Sequence, residues 1–97
     1  MNIVQIEIVN FNLFILEGSM RYLYFTSEHC PSCQIIKPII SRHAEIAVID
    51  IEKQQEQAVK YGVMSIPTLL ILDNNDSVEQ QITGTRIGKW LKENFKQ

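Results

Sequence analysis

The sequence has little cysteine: two residues in 97, both within Cys30-Pro31-Ser32-Cys33. A pair three positions apart cannot staple distant loops, so a disulfide framework is excluded, and in a chain expected to carry no export signal this spacing points to redox chemistry or metal binding. Charge of one sign is lacking too. Nine basic and 11 acidic residues give a net charge of −2 and are scattered along the chain, which leaves no electrostatic footprint for nucleic acid or an anionic membrane. Long apolar runs are absent: Gln5, Glu7, Asn10 and Asn12 interrupt the apolar first 20 residues, well short of the roughly 18 residues of a membrane span. No basic stretch precedes them, so the chain is expected to stay in the cytoplasm. Repeats, low-complexity tracts and Pro/Gly/Ser-rich linkers are missing as well. At this length residues 1–97 are expected to form a single domain, and 45% hydrophobic residues supply a core that needs no structural disulfide or metal.

The patterning is that of an α/β module. Ile3–Val9 alternates apolar and polar residues like a strand with one wet face, and Asn10–Glu17 reads as a short helix capped by Asn10 and ended by Gly18. Tyr22–Thr26 is a short apolar and aromatic run, expected of a strand covered on both faces. A helix opens at Pro31, at a first helical position that tolerates proline because its amide would be unpaired anyway. Ile35, Ile36, Ile39 and Ile40 are expected on one face of it, and Pro38 should kink it without ending it. Ala47–Ile51 reads as a buried strand, Glu52–Tyr61 as a polar-faced helix stopped by Gly62, and Thr68–Leu72 as a third buried run. Asn74-Asn75-Asp76 is turn chemistry that should pair Thr68–Leu72 with Val78–Thr83 in an antiparallel hairpin. A last helix follows Thr85, with Ile87, Trp90, Leu91 and Phe95 on one face.

Two cysteines at i and i+3 in the first turn of a helix have Cα atoms roughly 5 to 6 Å apart, within disulfide range. Cys30, at the helix N-terminus, faces unpaired amides and the positive end of the macrodipole, which favour thiolate over thiol. Cysteines so placed have pKa values lowered to roughly 3.5 to 7.5. Cys33, one turn inward, should be shielded. Exposure therefore assigns attack on a target disulfide to Cys30 and resolution of the mixed disulfide to Cys33. His29 either stabilises the Cys30 thiolate when protonated or fills a loop position. Zinc normally takes four ligands; the other soft candidates, His29 and His43, adjoin Cys30 and lie ten residues past Cys33, a geometry that does not close a tetrahedron. No metal or other cofactor is expected.

With the motif between a buried strand and a helix containing Pro38, the sequence resembles the thioredoxin family. The matching pieces are Cys30-Pro31-Ser32-Cys33, Pro38, Asp50, Lys60-Tyr61-Gly62-Val63, Ile66-Pro67-Thr68-Leu69 and Gly84. The resemblance implies a thioredoxin fold, with a central mixed sheet of four to five strands flanked by helices on both faces. It also implies a cis Ile66-Pro67 bond facing the active-site helix, which lets the Ile66 backbone pair edge-on with an extended substrate segment. It places Met64, Ser65, Ile66, Pro67 and Gly84 on a surface that docks disulfide-containing proteins, beside His29, Pro31 and Ser32. The implied activity is protein-disulfide reduction by a monomer that a thioredoxin reductase-like flavoprotein re-reduces. Departures are visible. The family's usual Trp-Cys-Gly-Pro-Cys-Lys is here His29-Cys30-Pro31-Ser32-Cys33-Gln34, its buried aspartate falls at Tyr24, and the lysine beside it at Val48. Resolution by Cys33 is therefore expected to use water or a nearby side chain such as Glu28 as its base. Proline after the first cysteine is the glutaredoxin pattern, so a glutathione-coupled carrier is one alternative; the lack of a Gly-Gly pair after the last strand, and Ile66 in place of valine, count against it. A redox-inactive partner-binding module is the other.

Overall fold

In the computed structural model, which describes residues 20–95, the apolar run after Met20 forms β1 (Arg21–Thr26). The strand read over residues 3–9 and the helix read over residues 10–17 lie outside the described residues. The following elements are α1 (Pro31–Ile40), β2 (Ile46–Asp50), α2 (Gln55–Lys60), β3 (Thr68–Leu72), β4 (Val78–Thr83) and α3 (Arg86–Asn94). The strands form one mixed sheet in the order β2-β1-β3-β4. β1 is parallel to β2 and antiparallel to β3, and β3 and β4 form the expected antiparallel hairpin.

Alternation along the two central strands builds a core on each face of the sheet. Tyr24, Leu69 and Ile71 point to the side where α1 and α3 pack, with Ile36, Ile40, Ile87 and Leu91. Leu23, Phe25, Leu70 and Leu72 point to the other side, under Ala58 of α2 and under Tyr61, Val63 and Ile66 of the loop beyond it. Helical cover on both faces is what the resemblance implied. Each such large apolar side chain contributes about 1.5–3 kcal/mol when fully buried. Phe25, Leu69, Leu70 and Leu72 are wholly inaccessible, so the β1/β3 pair carries much of the stability.

Three expectations need correction. Ile35 does not share the buried face of α1: it is 75% exposed, whereas Ile36 and Ile40 are buried. At 3.6 residues per turn it lies one residue outside the arc holding Cys33, Ile36, Ile39 and Ile40. The strand read as Ala47–Ile51 is one residue earlier, and Ala47 and Val48 are exposed, because β1 is its one partner among the described strands. The helix read as Glu52–Tyr61 begins later. The Asp50 carbonyl accepts the amides of Lys53 and Gln54, and its side chain accepts that of Glu52, which holds residues 51–53 in a turn. α1, by contrast, runs through Pro38 as expected.

The end of α2 is well determined. The Val63 amide bonds the Ala58 carbonyl and the Gly62 amide that of Val59, with Gly62 at φ 66°, the pattern of a Schellman stop. Nothing lies within 4 Å of a Cβ built on Gly62, so Gly62→Ala is expected to cost only the left-handed backbone penalty, about 1–2 kcal/mol. Gly88, inside α3, would place a Cβ 3.8 Å from Ile39 Cδ1, ordinary contact, so Gly88→Ala is expected to gain about 0.5–1 kcal/mol. Denaturant midpoints of the two variants should move in opposite directions.

Candidate active site

The sheet's register collects four loops at one edge. β1 and β2 both end there, at Thr26 opposite Asp50; β3 starts there, with Phe25 opposite Thr68, and β4 ends there, with Thr68 opposite Thr83. Residues 27–30, 51–54, 64–67 and 84–85 are therefore neighbours although they are scattered along the sequence.

Cys30 is the N-cap of α1, in extended conformation at φ −112° and ψ 105°, and Pro31 opens the helix. The Cys33 amide donates to Cys30 Sγ at 3.1 Å, so one of the orphan amides of the helix end is aimed at the sulfur. A negative charge there gains typically 0.3–1 kcal/mol from the helix end. The two cysteines are joined as a disulfide with Cα atoms 5.2 Å apart. Cys30 is half-exposed and Cys33 is wholly buried. Pro31 and Ser32 are exposed between them.

Ile66-Pro67 is cis. Pro67 is buried, Ile66 half-buried against the core, and Ser65 exposed; Met64 is 93% exposed. The amide of Gly84, at φ 63°, donates to the Pro67 carbonyl at 3.0 Å. That bond ties the 64–67 loop to the end of β4, so the docking residues implied by the resemblance lie along the same edge as the cysteines.

The places of the family's charged pair are adjacent across the β1/β2 ladder, as Tyr24 opposite Val48. Tyr24 is buried, and its hydroxyl donates to the Cys33 carbonyl at 3.1 Å. Burial raises the phenol above its ordinary value of 10.0, so Tyr24 stays protonated and is no base at neutral pH. A groove of about 200 Å³ lies beside it, lined by Tyr24, Ser27, Glu28, Gln34, Val48 and Asp50. Glu28, the side chain proposed from sequence, thus shares the groove with a second carboxyl group, Asp50.

Two residues with a place in the site escaped the sequence reading, Ser27 and Glu52. Ser27 Oγ donates to Glu52 Oε2 at 2.6 Å and accepts the His29 amide at 3.1 Å. His29 Nδ1 lies 3.0 Å from the same Glu52 oxygen. The Ser27 hydroxyl and then the His29 ring, by hydrogen bonding, hold Glu52 below its ordinary value of 4.5. An ionised carboxylate only accepts, so Nδ1 is the donor. That hydrogen bond first, and the Glu52 charge next, raise His29 above its usual 6.5. The stabilising effect of the raised histidine is complete below 6.5 and lost as pH rises through its folded value; that of the lowered glutamate is complete above 4.5 and lost as pH falls through its folded value. The ion pair therefore spans weakly acidic to neutral pH. His29's side chain remains 80% exposed, so solvent screens the pair.

His43, the remaining soft side chain, is buried beyond the end of α1 with its ring 4.9 Å from that of Phe95. Among the described residues no group of three or more His, Cys, Asp or Glu side chains is arranged to hold a metal ion, and no helix is long and apolar enough to cross a membrane.

A family model described as thioredoxin matches residues 2–97. The thioredoxin of Buchnera aphidicola is 31% identical over 102 aligned positions, covering 97% of this chain and 89% of that protein. The thioredoxin of Bacillus subtilis is 38% identical over 65 residues, 60% of this chain and 62% of that protein; the matched part thus spans under two thirds of that relative. Among solved structures, a mutant thioredoxin from Halobacterium salinarum superposes with a TM-score of 0.68 at 26% identity, over 79% of this chain and 72% of that one. A match across nearly the whole sequence agrees with an edge that gathers the cysteine pair, the cis proline and Gly84: the chain belongs to the thioredoxin family.

Proposed function

We propose that this chain is a thiol–disulfide oxidoreductase that reduces disulfides in other proteins. The observation that carries the reading is the asymmetry of the cysteine pair. Cys30 is accessible and accepts a helix-end amide, whereas Cys33 is sealed beneath it at disulfide-forming distance. Cys30 as thiolate attacks a target disulfide, one target sulfur leaves, and a mixed disulfide forms. Cys33 then attacks Cys30, which frees the second target sulfur and leaves the closed pair. The two electrons come from the cysteines, so the exchange itself needs no cofactor or metal.

Met64, Ser65, Ile66, Pro67 and Gly84 dock the target, with His29, Pro31 and Ser32 beside the reacting sulfur. Supporting this are the exposure of Met64 and Ser65 and the Gly84–Pro67 bond that holds the two loops together. An apolar, methionine-bearing surface adapts to many partners. A thioredoxin reductase-like flavoprotein restores the dithiol. The proposed working form is a monomer, one domain over residues 1–97, in the cytoplasm, where a reducing environment keeps such a pair available for exchange. Resolution by Cys33 draws on water in the groove or on Glu28, because Tyr24 is held neutral.

Insulin reduction in the presence of dithiothreitol should be fast with the unsubstituted protein and near the uncatalysed rate with Cys30→Ser or Cys33→Ser. Equal rates in all three proteins contradict the proposal. Replacing dithiothreitol by a thioredoxin reductase should sustain turnover, whereas turnover only with glutathione and its reductase would make the chain a glutathione-coupled carrier. Tyr24→Phe deletes the bond to the Cys33 carbonyl and should cost about 1 kcal/mol of stability while leaving the pH profile of insulin reduction in place. A displaced profile would make Tyr24 a proton-transfer group.

A further inference from the structure

Seryl, glutamyl and histidyl side chains meet beside the cysteines in an arrangement that exchange at Cys30 alone does not require. Glu52 stands in the turn after β2, Ser27 and His29 in the loop after β1, and the parallel register brings them together. Ser27 is buried and uses its hydroxyl to fix one Glu52 oxygen. That oxygen also takes Nδ1 of His29, which leaves Nε2 as the free nitrogen of an exposed ring whose backbone adjoins Cys30. The charged groups acting on His29 are Glu52 from the β2 turn, Asp50 from the end of β2 and Glu28 from its own loop, all acidic. The surroundings thus favour an imidazolium on the residue that immediately precedes the attacking cysteine.

We propose that His29, anchored by Glu52 and Ser27, stores the proton that Cys30 gives up, so that the reduced protein rests as a Cys30 thiolate beside a His29 imidazolium. This rests on the oxidoreductase reading and deepens it. In the exchange, the Cys30 thiolate forms a bond to one sulfur of the target and the target S–S bond breaks. The departing sulfur carries the electron pair and takes the Nε2 proton, while Nδ1–H stays on Glu52. Cys33 then bonds Cys30, the mixed disulfide breaks, and the second target sulfur receives the proton that Cys33 loses. Two protons, one stored on His29 and one on Cys33, account for the two thiols produced. Ser27 and Glu52 are positioning residues that act through His29.

The test is the rate at which iodoacetamide alkylates Cys30 in the reduced protein as a function of pH, with the label located by peptide mass. His29→Gln should slow alkylation near pH 6 to 7 by about three- to tenfold, since a change of one pKa unit is a tenfold change in thiolate fraction. His29→Lys, which keeps the charge, should restore the rate. Glu52→Gln should slow alkylation in the otherwise unsubstituted protein, but not in the His29→Gln background, where it merely removes a negative charge near the sulfur. Superimposable profiles for the unsubstituted and His29→Gln proteins, or slow alkylation of a folded His29→Lys protein, would overturn the proposal. Insulin reduction by the same samples separates the two readings: a His29→Gln protein that still reduces insulin with an unchanged alkylation profile removes the proton store and leaves the oxidoreductase.

Discussion

The Cys33 amide donates to Cys30 Sγ, and the position of that bond follows from how β1 pairs with β3. Leu23, Tyr24 and Phe25 are locked between neighbouring strands and between two apolar faces, so the chain leaves β1 at a fixed point and in a fixed direction. Three loop residues later it must turn into α1, whose Ile36 and Ile40 commit one side of the helix to the sheet. Cys30 has no freedom left but to cap that helix, and Cys33 none but to lie beneath it. The placement of the pair is thus a consequence of core packing some distance away, and packing of this kind resists small adjustments.

The same edge shows how a family site can be retained while its electrostatics are redistributed. Where a buried carboxylate and a lysine would meet, Tyr24 and Val48 face each other across the ladder. This removes the cost of burying a charge, which is several kcal/mol per ion even after relaxation. It also removes the internal base from behind Cys33. Charge appears instead on the exposed side, as the Glu52–His29 pair held by Ser27. A screened, exposed pair contributes little to stability, and its histidine immediately precedes Cys30 in the chain.

Much of this was legible in sequence because it depends on local spacing or on composition. Pro31 at the helix start, Gly62 at a helix stop and the Asn74-Asn75-Asp76 turn are local rules, and each stands where the residue types require. Five successive buried residues in β3 follow from a run whose one polar member, Thr68, donates its hydroxyl to the Ser65 carbonyl. What failed depended on neighbours. Ile35 is apolar yet lies just outside the arc that the sheet covers, and Val48 looks like core until its strand is seen to have one described neighbour. The start of α2 was misplaced because Asp50 gathers three amides that a helix would otherwise claim. Ser27 and Glu52 were invisible for another reason. They are 25 positions apart, and only the parallel register of β1 and β2, which periodicity does not encode, makes them partners.

In the proposed exchange Cys30 alone forms the covalent bond to the target, and Cys33 alone breaks it. Mass spectrometry of the Cys33→Ser protein mixed with a disulfide-bearing target tests this most directly. A stable covalent adduct through Cys30 is expected, and none with the Cys30→Ser protein, in which the remaining thiol is buried. An adduct carried by Cys33 in the folded Cys30→Ser protein, or no adduct with either, would contradict it.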